Sequence, residues 1–152
     1  MSTMILCPTR GGKDSYPNQD RAIALAKERG VGVLFLYITN VEFLGLTAAP
    51  KLIDIEHELD ELGEFMLAMA QERAEKANVA ASTLVLRGQF REVLSDVIEE
   101  NEIGTVVLGS SAGGTGVVTA SYIQDLIEEI HGKIGVEFIV VDQGEIVSTY
   151  HP

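Results

Sequence analysis

Tryptophan is absent from this sequence, cysteine occurs once, proline four times, and lysine plus arginine total only 11 among 152 residues. Each scarcity excludes something. A single cysteine cannot form an internal disulfide, and Cys7 sits inside an apolar run, so it reads as a buried thiol in a cytoplasmic protein. Three histidines, His57, His131 and His151, are too far apart in sequence to show a metal-ligand spacing. The 11 basic residues face 23 acidic ones, a net charge of −12. That mean field repels nucleic acid, and no cluster of Lys and Arg offsets it. A local basic spot can still hold a small phosphate. The longest apolar run, Val31 to Ile38, is broken by Gly32 and is too short to cross a bilayer. The first residues lack the basic, apolar, small-residue order of a secretory leader, so no membrane or export segment is expected.

What is present suits a packed core. Apolar residues make up 46% of the chain, a globular composition for one domain of ordinary length. No repeat, linker or low-complexity stretch divides it. The expected organisation is one domain over 1–152, with its core at 4–142 and a tail at 143–152.

Short β-rich runs alternate with amphipathic stretches. Met4–Pro8 is an apolar run that stops at a turn. Residues 18–29 carry Ala22, Ile23, Leu25 and Ala26 at helical spacing, and Gly30 follows as a C-terminal cap. Val31–Ile38 is continuous and β-branched, as in a strand buried on both faces. The longest helix is predicted at 54–78, with Ile55, Leu59, Leu62, Met66 and Met69 as its apolar stripe. A third strand at 82–86, a helix at 90–101 and a fourth strand at 105–108 come next. The glycine-rich stretch 109–116, a helix at about 119–131 and a fifth strand at 136–141 complete the pattern. The segment after Gly144 has no clear assignment. Strand and helix alternating in this way predict right-handed crossovers. The fold class is therefore α/β: an open, doubly wound five-strand parallel sheet with helices on both faces.

Ligands of such sheets bind outside the carboxyl ends of the strands, where strand order reverses. That points to the loops after the first and fourth strands, and both are rich in glycine. The first reads Pro8-Thr9-Arg10-Gly11-Gly12-Lys13-Asp14-Ser15. The other runs from Gly109 and Ser110 through Ala112 and Gly113 to Ala120, Ser121 and Tyr122. Glycines let backbone N–H groups approach phosphate oxygens, and a following helix adds its positive N-terminus. The bland alternatives are a flexible connection for the second loop, and solvated charges for Arg10 and Lys13. His57 with Asp60 and Glu61 one turn on could suggest a metal pair, but an acidic solvated helix face accounts for them better. No histidine stands at a suggestive spacing from Ser110, Ser121 or Asp14, which weakens a hydrolase reading.

Four stretches together resemble the universal stress protein family over 4–142. They are Ile5-Leu6-Cys7-Pro8-Thr9, Gly88-x-Phe90-x-Glu92-Val93-Leu94, Val106-Val107-Leu108-Gly109-Ser110, and Phe138-Ile139-Val140-Val141. The resemblance implies a small regulatory module of the stress response. It also implies an adenine nucleotide, ATP (with Mg2+) or AMP, held between the two loops. The nucleotide-binding branch carries Gly-x2-Gly-x9-Gly-(Ser/Thr) after the fourth strand and an acidic residue after the first. Here Gly109 matches the first glycine, while the second position falls on Ala112 and the third on Tyr122, with Ala120-Ser121 beside it. The acidic position holds Arg10, which can grip a phosphate but cannot accept an adenine amino hydrogen. The residues implied at the nucleotide are Pro8, Thr9, Arg10, Tyr37, Leu108, Gly109, Ser110, Ala112, Gly113, Ala120, Ser121 and Tyr122. Tyr37 either lines the crevice or serves strand packing. No catalytic residue and no resident metal are implied. The resemblance further implies a homodimer through the strand Val136–Val141, by pairing of its edge.

Two other readings stand beside this one. Gly11-Gly12-Lys13-Asp14-Ser15 is similar to most of the loop of ATP pyrophosphatases, which would make the chain an ATP-cleaving enzyme. Such a short motif carries a high false-positive risk. A nucleotide-free interaction module of the same fold is the third, motivated by Arg10, Ala112 and Tyr122.

Overall fold

The computed structural model describes residues 3–9, 15–39, 49–109 and 120–152, with the side chains of 49–57, 59 and 120–122 left aside. Ten elements follow one another: β1 (Met4–Pro8), α1 (Tyr16–Arg29), β2 (Val33–Thr39), α2 (Ala49–Lys76), β3 (Ala81–Arg87), α3 (Phe90–Glu100), β4 (Ile103–Gly109), α4 (Ala120–Lys133), β5 (Glu137–Asp142) and β6 (Glu145–Tyr150). They form one sheet in the order β3-β2-β1-β4-β5-β6. The first five strands are parallel, in register Leu6↔Leu34 and Leu6↔Val106 across the centre. The sixth runs antiparallel to β5.

Strand alternation sorts the core into two layers. Ile5, Cys7, Val33, Phe35, Val107, Ile139 and Val141 meet α1 and α2 on one face. Leu6, Leu34, Leu36, Val106, Leu108, Phe138 and Val140 meet α3 and α4 on the other. Side chains of period two on strands covered on both faces must divide in this way. Strand order reverses between β1 and β4, so α1 and α2 wind one way and α3 and α4 the other. The doubly wound expectation holds.

Three expectations need correction. The sheet has six strands rather than five, and the stretch taken as a tail supplies the sixth. A strand with no helix on either face shows no apolar pattern: Glu145 to Thr149 are all exposed. The long helix begins at Ala49, ahead of the expected position, with Pro50 in its first turn, where a missing N–H costs nothing. Its buried stripe is also rotated. Gly63, Leu67, Ala70 and Ala74 face inward, whereas Leu62 is 44% exposed and Met66 and Met69 are half-buried. The cause is Tyr37 of β2: a Cβ at Gly63 would lie 2.6 Å from its ring. Only glycine lets α2 lie this close, and that contact sets the helix rotation.

Local signals at α1 hold as expected. Gly30 caps it at φ 68°, its N–H reaching back to Lys27, and Pro17 stands in the first turn. The edge of β5, where copies were expected to pair, is occupied by β6 of the same chain.

Candidate functional site

Pro8 ends β1 and Gly109 ends β4. Their strands are neighbours, paired as far as Leu6↔Val106. Pro8 also pairs with Leu36 of β2, and the Thr9 N–H donates to the Leu36 carbonyl at 2.8 Å. The first two strand ends and the fourth thus meet at the switch point, as a doubly wound sheet requires of a ligand crevice. Pro8, Thr9 and Gly109 are half-buried, whereas Leu108 is 4% exposed and belongs to the α3/α4 core. Ala120, Ser121 and Tyr122 form the first turn of α4, whose positive end is the anion-favouring feature of the region. The Tyr37 ring packs beneath Gly63 of α2. Arg10, Ser110, Ala112 and Gly113 lie outside the described residues, as do 11–14 of the pyrophosphatase-like run. Ser15 stands at the N-cap of α1 without a side-chain cap bond.

Behind Thr9 is a polar network that the sequence reading did not name. Gln19 of α1 is 1% exposed. Its amide N–H donates to Thr9 Oγ1 at 2.7 Å, and its carbonyl accepts from Arg73 Nη1 of α2 at 2.5 Å. Arg73 also donates to the Tyr16 carbonyl at 3.2 Å, pairs with Asp20, and stacks 4.3 Å from the centre of the Tyr16 ring. Each polar group of Gln19 thus has a partner, the condition for burying it. The signal was present in the sequence: Gln19 lies three and four residues before Ala22 and Ile23, on the inward face. A polar side chain there demands partners, though the sequence does not say which. The network holds the Thr9 side chain at the end of β1.

Asn18 bridges the other side. A Cβ at Gly109 would lie 2.7 Å from Asn18 Nδ2, so glycine at the β4 exit makes room for this amide. Asn18 Oδ1 accepts the Gly144 N–H at 2.9 Å. The β5–β6 turn is thereby fastened beside the start of the glycine-rich loop. Cys7 lies one residue below Pro8. Burial pushes its thiol up to about 12, with the Arg73 charge pulling weakly the other way. It is a neutral core thiol and no nucleophile.

Asp60, expected on a solvated acidic face, is instead engaged. It accepts from Thr39 Oγ1 at 3.0 Å and from Arg87 Nε and Nη2 at 2.9 and 2.5 Å. Both Arg87 nitrogens converge on Asp60 Oδ2 while Thr39 donates to Oδ1, and the carboxylate thereby ties α2 to the ends of β2 and β3. Among the described residues no group of three or more His, Cys, Asp or Glu side chains is placed to hold a metal. No helix is long and apolar enough to cross a membrane among those residues. A groove between α3 and α4, lined by Arg91, Glu92, Asp96, Glu129 and Lys133 among others, contains none of the crevice residues.

A mostly parallel open sheet whose strand order reverses between β1 and β4, with helices on both faces, defines a doubly wound α/β protein. The universal stress protein family model matches residues 1–132, and the chain belongs to that family. Among curated proteins none matches the chain in sequence. Its fold is that of solved family members. It is similar to universal stress protein UspA from Lactobacillus plantarum at 16% identity and TM-score 0.72, covering 91% of this chain and 97% of that one. It is similar to the universal stress protein from Archaeoglobus fulgidus in complex with dAMP at 16% identity and TM-score 0.60, covering 92% and 97%. A universal stress protein in complex with cAMP is similar at 15% identity and TM-score 0.62, covering 93% and 98%.

Proposed function

We propose that this chain is a regulatory module of the stress response that binds an adenine nucleotide, ATP or AMP, in the crevice between the ends of β1 and β4. The observation that carries the reading is the adjacency of β1 and β4 at the switch point, so that the ends at Pro8 and Gly109 belong to neighbouring strands, with α4 following β4. Two structural relatives support it, one complexed with cAMP and one with dAMP. In this reading the backbone around Pro8, Thr9 and Gly109 lines the base and sugar. Backbone N–H groups of the Gly109–Ala120 connection and the Ser121 hydroxyl receive the phosphate, with Arg10 adding a guanidinium. Mg2+ would accompany ATP on the phosphate oxygens and not on a protein cage. The polar network behind Thr9 has the character of a rigid support for binding. With Cys7 a neutral core thiol, it adds nothing to an ATP-cleaving reading. The place of action is the cytoplasm, a reading motivated by the single, buried, unpaired Cys7.

Isothermal titration of the purified chain with ATP and AMP tests the reading, alongside mass spectrometry of nucleotide released on denaturation. Saturable one-to-one binding that weakens at least tenfold in Gly109→Val supports it. No heat with either nucleotide, and none released from the purified chain, overturns it.

A further inference from the structure

β6 is the most exposed strand of the sheet: Glu145 to Thr149 are all exposed, with Ile146 and Val147 at 44% and 57%, whereas the opposite edge strand β3 keeps Ala81, Leu84, Val85 and Leu86 half-buried. The strand adds little to the core. What it does is pair: Phe138↔Tyr150, Ile139↔Thr149, Val140↔Ser148, Val141↔Ile146 and Asp142↔Glu145. The strand it covers is the opposite in kind. Phe138-Ile139-Val140-Val141 is uncharged, β-branched and buried on both faces, between the two core layers. An uncovered edge of that composition is a template for another chain. The simplest chain to offer it a matching edge is a second copy, antiparallel about a twofold axis.

We infer that β6 is an edge cap: it occupies, within its own chain, the β5 edge through which a second copy would otherwise join its sheet. Two fastenings hold it. At the turn, Gln143 and Gly144 take φ of 49° and 86°. The Gly144 N–H donates to Asn18 Oδ1, and Arg21 Nε donates to the Gly144 carbonyl at 2.6 Å. At the far end Tyr150 packs on the α3/α4 core, and the His131 ring contacts the His151 carbonyl. The outer edge of β6 is itself blunted. Its register shifts at the Val140/Val141 step, where Val147 is the extra residue, and such an irregularity bends a strand away from flat pairing. The cap therefore closes the sheet without offering a new docking edge, and the β5 edge becomes a self-association surface only when β6 is displaced.

The full chain tests this by light scattering across the micromolar range. The wild type is expected at the mass of one chain. Successive N–H groups of a strand point to opposite sides, so Ser148→Pro/Thr149→Pro removes one that faces β5. This variant is expected at the mass of two chains, with its helical circular dichroism retained. A folded double variant at one-chain mass overturns the inference. A two-chain mass for the wild type overturns it as well, and loss of that dimer in Val147→Lys would assign the interface to β6 itself. If the double variant fails to fold, hydrogen exchange of the wild type decides. Exchange of the β6 amides that is independent of protein concentration supports the cap, and protection that rises with concentration overturns it.

Discussion

The two ends of the sheet are fastened by similar side chains to opposite effect. At the amino end, Arg29 of α1 donates to Thr105 at 3.0 Å and to Glu137 at 2.7 Å, and Thr105 donates to the same carboxylate at 2.9 Å. His151 lies 3.9 Å from that carboxylate. This cluster locks the last turn of α1 to β4 and β5 and is complete in itself. At the carboxyl end, Gln19 and Arg73 hold Thr9 from behind, and Asn18 holds the Gly109 exit and the Gly144 turn. There the polar groups brace the ends of β1 and β4. A closed cluster buys stability, and a brace at the strand ends holds them in register.

That contrast can be broken by substitution, and the carboxyl end carries the largest expected effect. Gln19→Leu removes the buried bonds from Gln19 to Thr9 and Arg73 and sets an apolar side chain against both, and we expect a loss of about 2.5 kcal/mol in urea unfolding. The same variant should weaken nucleotide binding, whereas a purely structural role would lower stability alone. Next is Glu137→Ala at the amino end. It strips Arg29 and Thr105 of their acceptor, an expected loss of about 2 kcal/mol.

The amino end also carries a pH signature. Burial pushes the Glu137 carboxyl up, but hydrogen bonds from Arg29 and Thr105, with the charges of Arg29 and His151, outweigh it and hold it below the ordinary range. A depressed carboxylate contributes stability that is present above its unfolded value and is lost as pH falls through the folded one. The wild type should therefore lose stability on acidification below the ordinary Glu value of about 4.5, and Glu137→Gln should lose less over that window. Equal acid slopes in the two proteins would remove Glu137 from this role.

Smaller effects sharpen the rest. Gly144→Ala meets both a φ of 86° and the Pro17 carbonyl at 3.0 Å, and about 1 kcal/mol of destabilisation is expected in thermal unfolding. Smallest is Arg87→Ala. Its pair with Asp60 is half exposed on the arginine side, so about 0.5 kcal/mol is expected, shrinking as salt is raised.

Much of the molecule was legible from pattern. Met4–Pro8 appears at its expected bounds, and Gly30 caps α1 where a glycine after an apolar period should. Alternation of strand and helix led to the doubly wound sheet, and the adjacency of β1 and β4 follows from that topology. The rotation of α2 was not legible, because Leu62, Met66 and Met69 look like a core stripe until Tyr37 is placed beneath Gly63. β6 was not legible either, because an edge strand exposed on both faces has no apolar period to read. At the site, Gln19 was readable as an anomaly on an inward helix face, but its partners Thr9 and Arg73 are 10 and 54 residues away.

The sequence by itself determined the order of the first nine elements and the two-layer core, because periodicity and chain connectivity are local properties that translate directly into burial and handedness. Only the tertiary structure decided the sixth strand, the helix rotation and the braces behind Thr9 and Gly109, because each depends on which distant residue arrives within hydrogen-bond or van der Waals reach.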